Sequence, residues 1–180
     1  MDIFGPRTVA YGEIWPDVAD EFRLGRGRVT IRNVWRGAWE GGEVRYFEFD
    51  RLHVLGRALL FDSPSLDLPA FVVPPSAGVA DPAGNAEGDG VTVDGLFVVT
   101  SEAMAVRRAF TPAVAAFFKE RAEGRRTWAE GRGRRLLFYK QFDAPRKGHR
   151  PRPDFPADDG HAGFWQAGQK LARLLATPSR

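Results

Sequence analysis

The stretch Val91-Thr92-Val93-Asp94-Gly95-Leu96-Phe97-Val98-Val99-Thr100, continued by Ser101-Glu102-Ala103-Met104-Ala105-Val106-Arg107-Arg108-Ala109-Phe110-Thr111-Pro112, decides the fold class. β-Branched and aromatic residues dominate its first half, and Asp94-Gly95 marks a turn or bulge among them. After Thr100 the apolar period changes. Val106, Phe110, Val114, Phe117 and Phe118 recur at helical spacing and form one stripe. Thr111-Pro112 interrupts it, because proline inside a helix removes a donor and clashes with the preceding turn, whereas at the first helical position it is welcome. The spacing predicts a helix ending near Phe110 and a second one, capped by Thr111, so that residues 102–120 or so are helical.

Working back toward the N-terminus, residues 28–40 read as a strand through Val29, Ile31, Val34, Trp35 and Trp39, with Gly41-Gly42 as the turn signal. Residues 43–50 complete a hairpin, and residues 57–62, carrying Ala58-Leu59-Leu60-Phe61, form a third strand that stops at Ser63-Pro64. Pro69-Ala70-Phe71-Val72-Val73-Pro74 is a short extended piece, and its prolines predict an edge strand, where a missing N–H is harmless. Residues 1–28 have weak periodicity, with a single helical turn or a loop at 16–22.

Toward the C-terminus, residues 126–130 and 135–141 read as another hairpin across Gly131-Arg132-Gly133-Arg134. A closing helix over about residues 161–176 turns Phe164, Gly168, Leu171 and Leu175 inward, and Pro178 ends it. Two segments are poor in large apolar side chains. Residues 74–90 hold three Pro, four Gly and four Ala with no aromatic, the composition of a surface loop. Residues 143–160 are a Pro-rich basic connector. Strands followed by late helices predict a single α+β domain over 1–180: a twisted antiparallel sheet with helices (about 102–120 and 161–176) packed on one face.

The length of 180 residues suits one domain with a real core. Zero Cys excludes disulfide scaffolds, thiolate metal sites and cysteine nucleophiles. The net charge of +3 hides a strong asymmetry. Residues 1–100 carry 9 Arg/Lys against 15 Asp/Glu, and residues 101–180 carry 17 against 8. Such blocks mark either an anion-facing surface or two halves that complement each other inside one domain. The second reading is the default. No leader or spanning segment stands out, so a cytoplasmic location is the expectation.

Candidate chemistry is sparse. Glu48 and Asp50 share a strand face, and with His53 they form a candidate metal set, since two carboxylates and an imidazole suit a hard cation. The plainer reading is a solvated histidine at a tight turn. Asp158-Asp159-Gly160-His161 precedes the last helix, where Asp159 reads as a cap. No Gly-x-Ser-x-Gly or Walker motif is present, so no catalytic residue is assigned and no cofactor is called for. Arg121, Arg125, Arg126, Arg132, Arg134 and Arg135 gather around Trp128 and Tyr139 as a candidate anion site, because arginine with interleaved aromatics holds phosphates and stacks bases.

Asn33-Val34-Trp35-Arg36-Gly37, Phe47-Glu48-Phe49-Asp50 and Asp62-Ser63-Pro64-Ser65-Leu66-Asp67-Leu68-Pro69-Ala70-Phe71 come in an order, continued by Phe97-Val98-Val99, Phe110-Thr111-Pro112 and Gly133-Arg134-Arg135-Leu136-Leu137-Phe138-Tyr139. That order resembles a domain-of-unknown-function group of bacterial proteins over about residues 29–140. The resemblance implies one domain of strands with late helices, often in proteins with membrane segments before it, and it transfers no site. The leading expectation is a non-enzymatic module that meets a protein partner or an anionic membrane surface. The alternatives are a metal-dependent or hydrolytic enzyme, or a weak nucleic-acid binder through the basic residues 121–152.

Overall fold

A computed structural model describes residues 2–3, 9–10, 22, 24, 29–51, 54–75, 89–122, 127–142 and 161–176. Strand β1 (Asp2–Ile3) and β2 (Val9–Ala10) both pair with β3 (Thr30–Trp39). A meander continues through β4 (Gly42–Arg51) and β5 (Val54–Asp62). Then come β6 (Leu68–Val73), the hairpin β7 (Gly90–Val93) and β8 (Leu96–Val99), and the helices α1 (Ala103–Ala109) and α2 (Pro112–Ala122). The hairpin β9 (Thr127–Gly133) and β10 (Arg135–Phe142) and the helix α3 (His161–Leu175) follow. The α+β class and the antiparallel sheet with its helices are as the sequence predicts.

All pairings are antiparallel, and the open sheet runs β1-β3-β4-β5-β10-β9-β6-β8-β7, with β2 also on β3. The late hairpin β9–β10 is thus inserted between β5 and β6. Two tight turns have both central residues at positive φ, Glu40-Gly41 (41° and 74°) and Asp94-Gly95 (48° and 78°). This is the primed geometry that matches strand twist and selects glycine at the second position. Thr111 starts α2 as its spacing requires: its Oγ1 accepts the Val114 N–H at 3.4 Å, with Pro112 as first helical residue.

The inserted hairpin and helix α3 also bring the two charge blocks together. Asp62 on β5 accepts Arg134 Nε at 2.7 Å and Arg135 Nε at 3.1 Å, and Glu40 accepts Arg173 Nε at 2.9 Å. Acids of the first hundred residues therefore meet arginines of the last eighty around one sheet.

Alternation sorts the strand residues into two cores. On the helix side, Val44, Leu59, Phe61, Leu136, Phe138, Phe71 and Val98 pack under Val106, Phe117, Phe164 and Leu171. On the other side, Ile31, Phe47, Phe49, Leu60, Leu137, Trp128 and Tyr139 are buried with Phe22, Leu24 and Val29. Burial on both faces explains why Ala58-Leu59-Leu60-Phe61 and Leu136-Leu137-Phe138-Tyr139 are unbroken apolar runs. A sheet with one wet face would alternate instead. Helix α3 approaches closely at Gly168, where a Cβ would stand 2.5 Å from Leu59 Cδ1 and 3.2 Å from Phe138 Cδ1. Glycine there lets the helix axis sit low on the sheet.

One expectation is corrected. β6 is not an edge strand: it lies between β9 and β8. Its proline is tolerated because the ladder is interrupted there, with a register shift between Leu68 and Phe71. Side chains replace the lost partners. The Ala70 N–H donates to Glu102 Oε1 at 3.2 Å, and Thr100 Oγ1 donates to the Ala70 carbonyl at 2.6 Å while accepting the Glu102 N–H at 2.8 Å. Thr100 is buried. Replacing its hydroxyl with a methyl, Thr100→Val, leaves that carbonyl unsatisfied and is expected to cost about 1–3 kcal/mol. Urea unfolding followed by circular dichroism measures it.

Candidate functional site

Glu48 and Asp50 lie on the helix-side face of β4, as alternation requires. The sheet register sets Glu48 opposite Arg57, and Arg57 opposite Lys140. Three charged residues from β4, β5 and β10 thus form one row, 9%, 1% and 8% exposed respectively. Asn33, held at φ 50° where β3 bulges between Arg32 and Trp35, donates Nδ2 to Glu48 Oε2 at 2.6 Å. Tyr46 OH donates to Glu48 Oε1 at 3.2 Å. The Arg57 guanidinium stands 5.0 Å from the Phe142 ring and 5.6 Å from that of Phe164, and Lys140 Nζ lies 5.2 Å from Phe142. The row sets one buried carboxylate beside two buried cations, under the first turn of α3. Both Glu48 oxygens accept protein hydrogen bonds in it.

His53 lies outside the described residues. Among the described residues no three His, Asp or Glu side chains gather for a metal. Asp158 and Asp159 also lie outside them.

Burial pushes the Tyr46 hydroxyl far above its ordinary value; the neighbouring Glu48 charge and hydrogen bond add to the rise, and Arg57 opposes it. The folded state keeps this proton while an unfolded tyrosine loses it near pH ~10. Stability is therefore complete below that pH and falls as pH rises above it, by about 1.4 kcal/mol per pH unit for one proton. Unfolding free energies measured on both sides of that pH should show the fall, and Tyr46→Phe should remove that component.

Of the six arginines proposed for anions, the Arg121 side chain, Arg125 and Arg126 lie outside the described residues. Arg132 is exposed on β9, while Arg134 and Arg135 share Asp62 at the turn of the same hairpin. The aromatics between them are core residues. Trp128 and Tyr139 are buried and stacked, with centroids 5.9 Å apart, and Tyr139 OH donates to Glu130 Oε1 at 2.8 Å. Neither ring is presented to a nucleic-acid base.

A different surface stands out at the far edge of the sheet. Among the described residues the exposed large apolar side chains are Phe97, at 47%, and Met104, at 67%. Phe97 lies on β8, facing away from the helices, and its ring covers Gly90, where a Cβ would sit 2.3 Å from Cζ. Met104 lies on α1, one turn before Arg107 and Arg108. Among the described residues β7 pairs only with β8. The Thr100 N–H donates to the Asp89 carbonyl, which makes 89, 91 and 93 the residues bonded to β8 and turns the backbone groups of Gly90 and Thr92 outward. Arg107 Nη1 approaches the outward Thr92 carbonyl at 3.5 Å, and Lys119 Nζ lies beside Gly95.

Sequence reasoning passed over this surface. Leu96-Phe97-Val98-Val99 reads as a uniformly apolar strand, and only pairing with β7 reveals that Phe97 faces outward.

Comparison with protein-family models, curated proteins and solved structures gives no match to this chain. No helix among the described residues is long and apolar enough to cross a membrane.

Proposed function

We propose that the chain is a non-enzymatic interaction domain whose working surface is the β7–β8 edge with the neighbouring stripe of α1. The observation that carries this reading is the coincidence of three features at one edge: the outermost strand with outward backbone groups, and the exposed side chains of Phe97 and Met104. Soluble domains blunt such edges with short strands and charged residues, and exposed apolar side chains beside an edge favour contact with another surface. The charged residues gathered elsewhere support the same reading, because Glu48, Asp62, Arg134 and Arg135 are already engaged within the fold. Protein recognition is the form favoured here, since a strand edge offers directional backbone hydrogen bonds that a lipid surface has no use for.

Amide shift mapping tests the assignment, with a pool of extended peptides in one arm and phosphatidylserine vesicles in the other. Perturbations concentrated at residues 89–108 are expected from the peptides, and Phe97→Ser with Met104→Ser should abolish them. Binding that maps to Arg132, Arg134 and Arg135, or that occurs only with vesicles and ignores both substitutions, contradicts the assignment.

A further inference from the structure

We infer that the β7 edge takes an extended polypeptide segment of alternating character, with apolar side chains on its Phe97 side and a carboxylate on its α1 side. The inference rests on the interaction reading above and names the partner's chemistry. It begins with the two faces that flank β7.

An added strand would bond to the outward groups of Gly90 and Thr92, and its residues opposite those two would point to the same side as Phe97. That side offers the Phe97 ring, Thr92 and the Gly90 backbone, a shallow surface suited to small apolar or β-branched side chains. The intervening residue, opposite Val91, would point to the helix side, where Val91 joins the core containing Val106 of α1. Met104, Arg107 and Arg108 follow one another at i, i+3 and i+4 on α1, so they form a single stripe. Arg107 places that stripe along β7, because its guanidinium reaches the outward Thr92 carbonyl.

Charge selects the occupant. Arg107 and Arg108 make no ion pair among the described residues, and neither does Lys119 beside the β7–β8 turn. A carboxylate on the helix side of the incoming strand would meet them. Arg107 then acts as a guard: in the free domain it covers the Thr92 carbonyl, and it must transfer to the carboxylate before the ladder can extend. A partner without an acid displaces Arg107 with no compensation.

The same geometry disfavours a second copy of this chain. Two β7 strands pairing about a two-fold axis normal to the sheet keep both α1 helices on one face, so the Arg107-Arg108 stripes would confront each other.

The test uses the full chain with three capped peptides, Thr-Val-Glu-Val-Thr, Thr-Val-Lys-Val-Thr and Thr-Val-Gln-Val-Thr, read by amide shifts and fluorescence anisotropy. The glutamate peptide should bind about tenfold more tightly than the lysine peptide, as one desolvated charge-assisted hydrogen bond implies. Arg107→Glu should reverse that order. Thr92→Pro should abolish binding while leaving the fold intact, because position 92 gives no hydrogen bond to β8 and proline is tolerated on an edge. Binding that survives Thr92→Pro, a preference for the lysine peptide, equal affinity for all three, or no binding to any overturns the inference. In that event shifts at residues 89–108 with the wider peptide pool would still uphold the interaction reading. Concentration-dependent dimerisation through Gly90 and Thr92 would overturn the inference in favour of self-pairing.

Discussion

Arg57→Ala should lower the stability of the domain by about 3–5 kcal/mol, the range found when one partner of a buried ionic network is removed. Arg57 is 1% exposed and stands between Glu48 and Lys140 in the register of three adjacent strands. Its loss leaves the Glu48 carboxylate with Asn33 and Tyr46 as neutral donors and takes away the cation facing it. It also removes a fully buried side chain whose guanidinium stands over the Phe142 and Phe164 rings, so cavity and cation–π terms add to the electrostatic one. Set against a total of about 5–15 kcal/mol for an ordinary domain, this is a large share. Arg57→Met with Glu48→Gln removes the facing pair of opposite charges while keeping volume, and it should be much less harmful than Arg57→Ala. Urea midpoints for the variants measure the difference. A loss within about 0.5 kcal/mol for Arg57→Ala, the range of an inert surface change, would show that the row is not a stabilising network.

Phe138→Ala should cost a similar amount, about 3–5 kcal/mol, for a purely apolar reason. The ring is 1% exposed and joins three elements. It stacks on Phe164 of α3 with centroids 5.1 Å apart, lies 6.1 Å from Phe117 of α2, and sits beneath Gly168. Truncation therefore opens a void where α3 comes closest to the sheet. Because α2 and α3 both lean on this ring, faster amide exchange in both helices should accompany the loss. Phe97→Ala is the control, since Phe97 is 47% exposed and its truncation should cost well under half as much. Equal losses at the two positions, by thermal or chemical unfolding, would contradict the packing described here.

Much of the local structure was readable because turn chemistry and apolar period are local signals. Asp94-Gly95 forces a hairpin by its φ values, Thr111-Pro112 divides two helices, and Phe164, Gly168, Leu171 and Leu175 mark the buried face of α3. Long-range order was not. Nothing near Arg57 announces that Glu48 and Lys140 will flank it, since that depends on β10 pairing with β5 across seventy-odd residues of chain. Pro69 read as the sign of an edge strand because the side chains that serve Ala70, those of Thr100 and Glu102, lie some thirty residues on. Arg134 and Arg135 read as anion-facing cations because the acid they share, Asp62, sits in the other half of the sequence. A charge block reveals its sign but not its partner. The second core was hidden by its own abundance, as runs apolar at every position do not say which face they cover.

The reading of the β7 edge as a recognition surface depends on its outward amide N–H groups being open. Amide hydrogen exchange resolved by residue measures this directly. Val91 and Val93 should be protected by β8, while Gly90 and Thr92 exchange rapidly in the same strand. Protection of all four amides would show that the edge is already covered, and the proposed working surface would be lost.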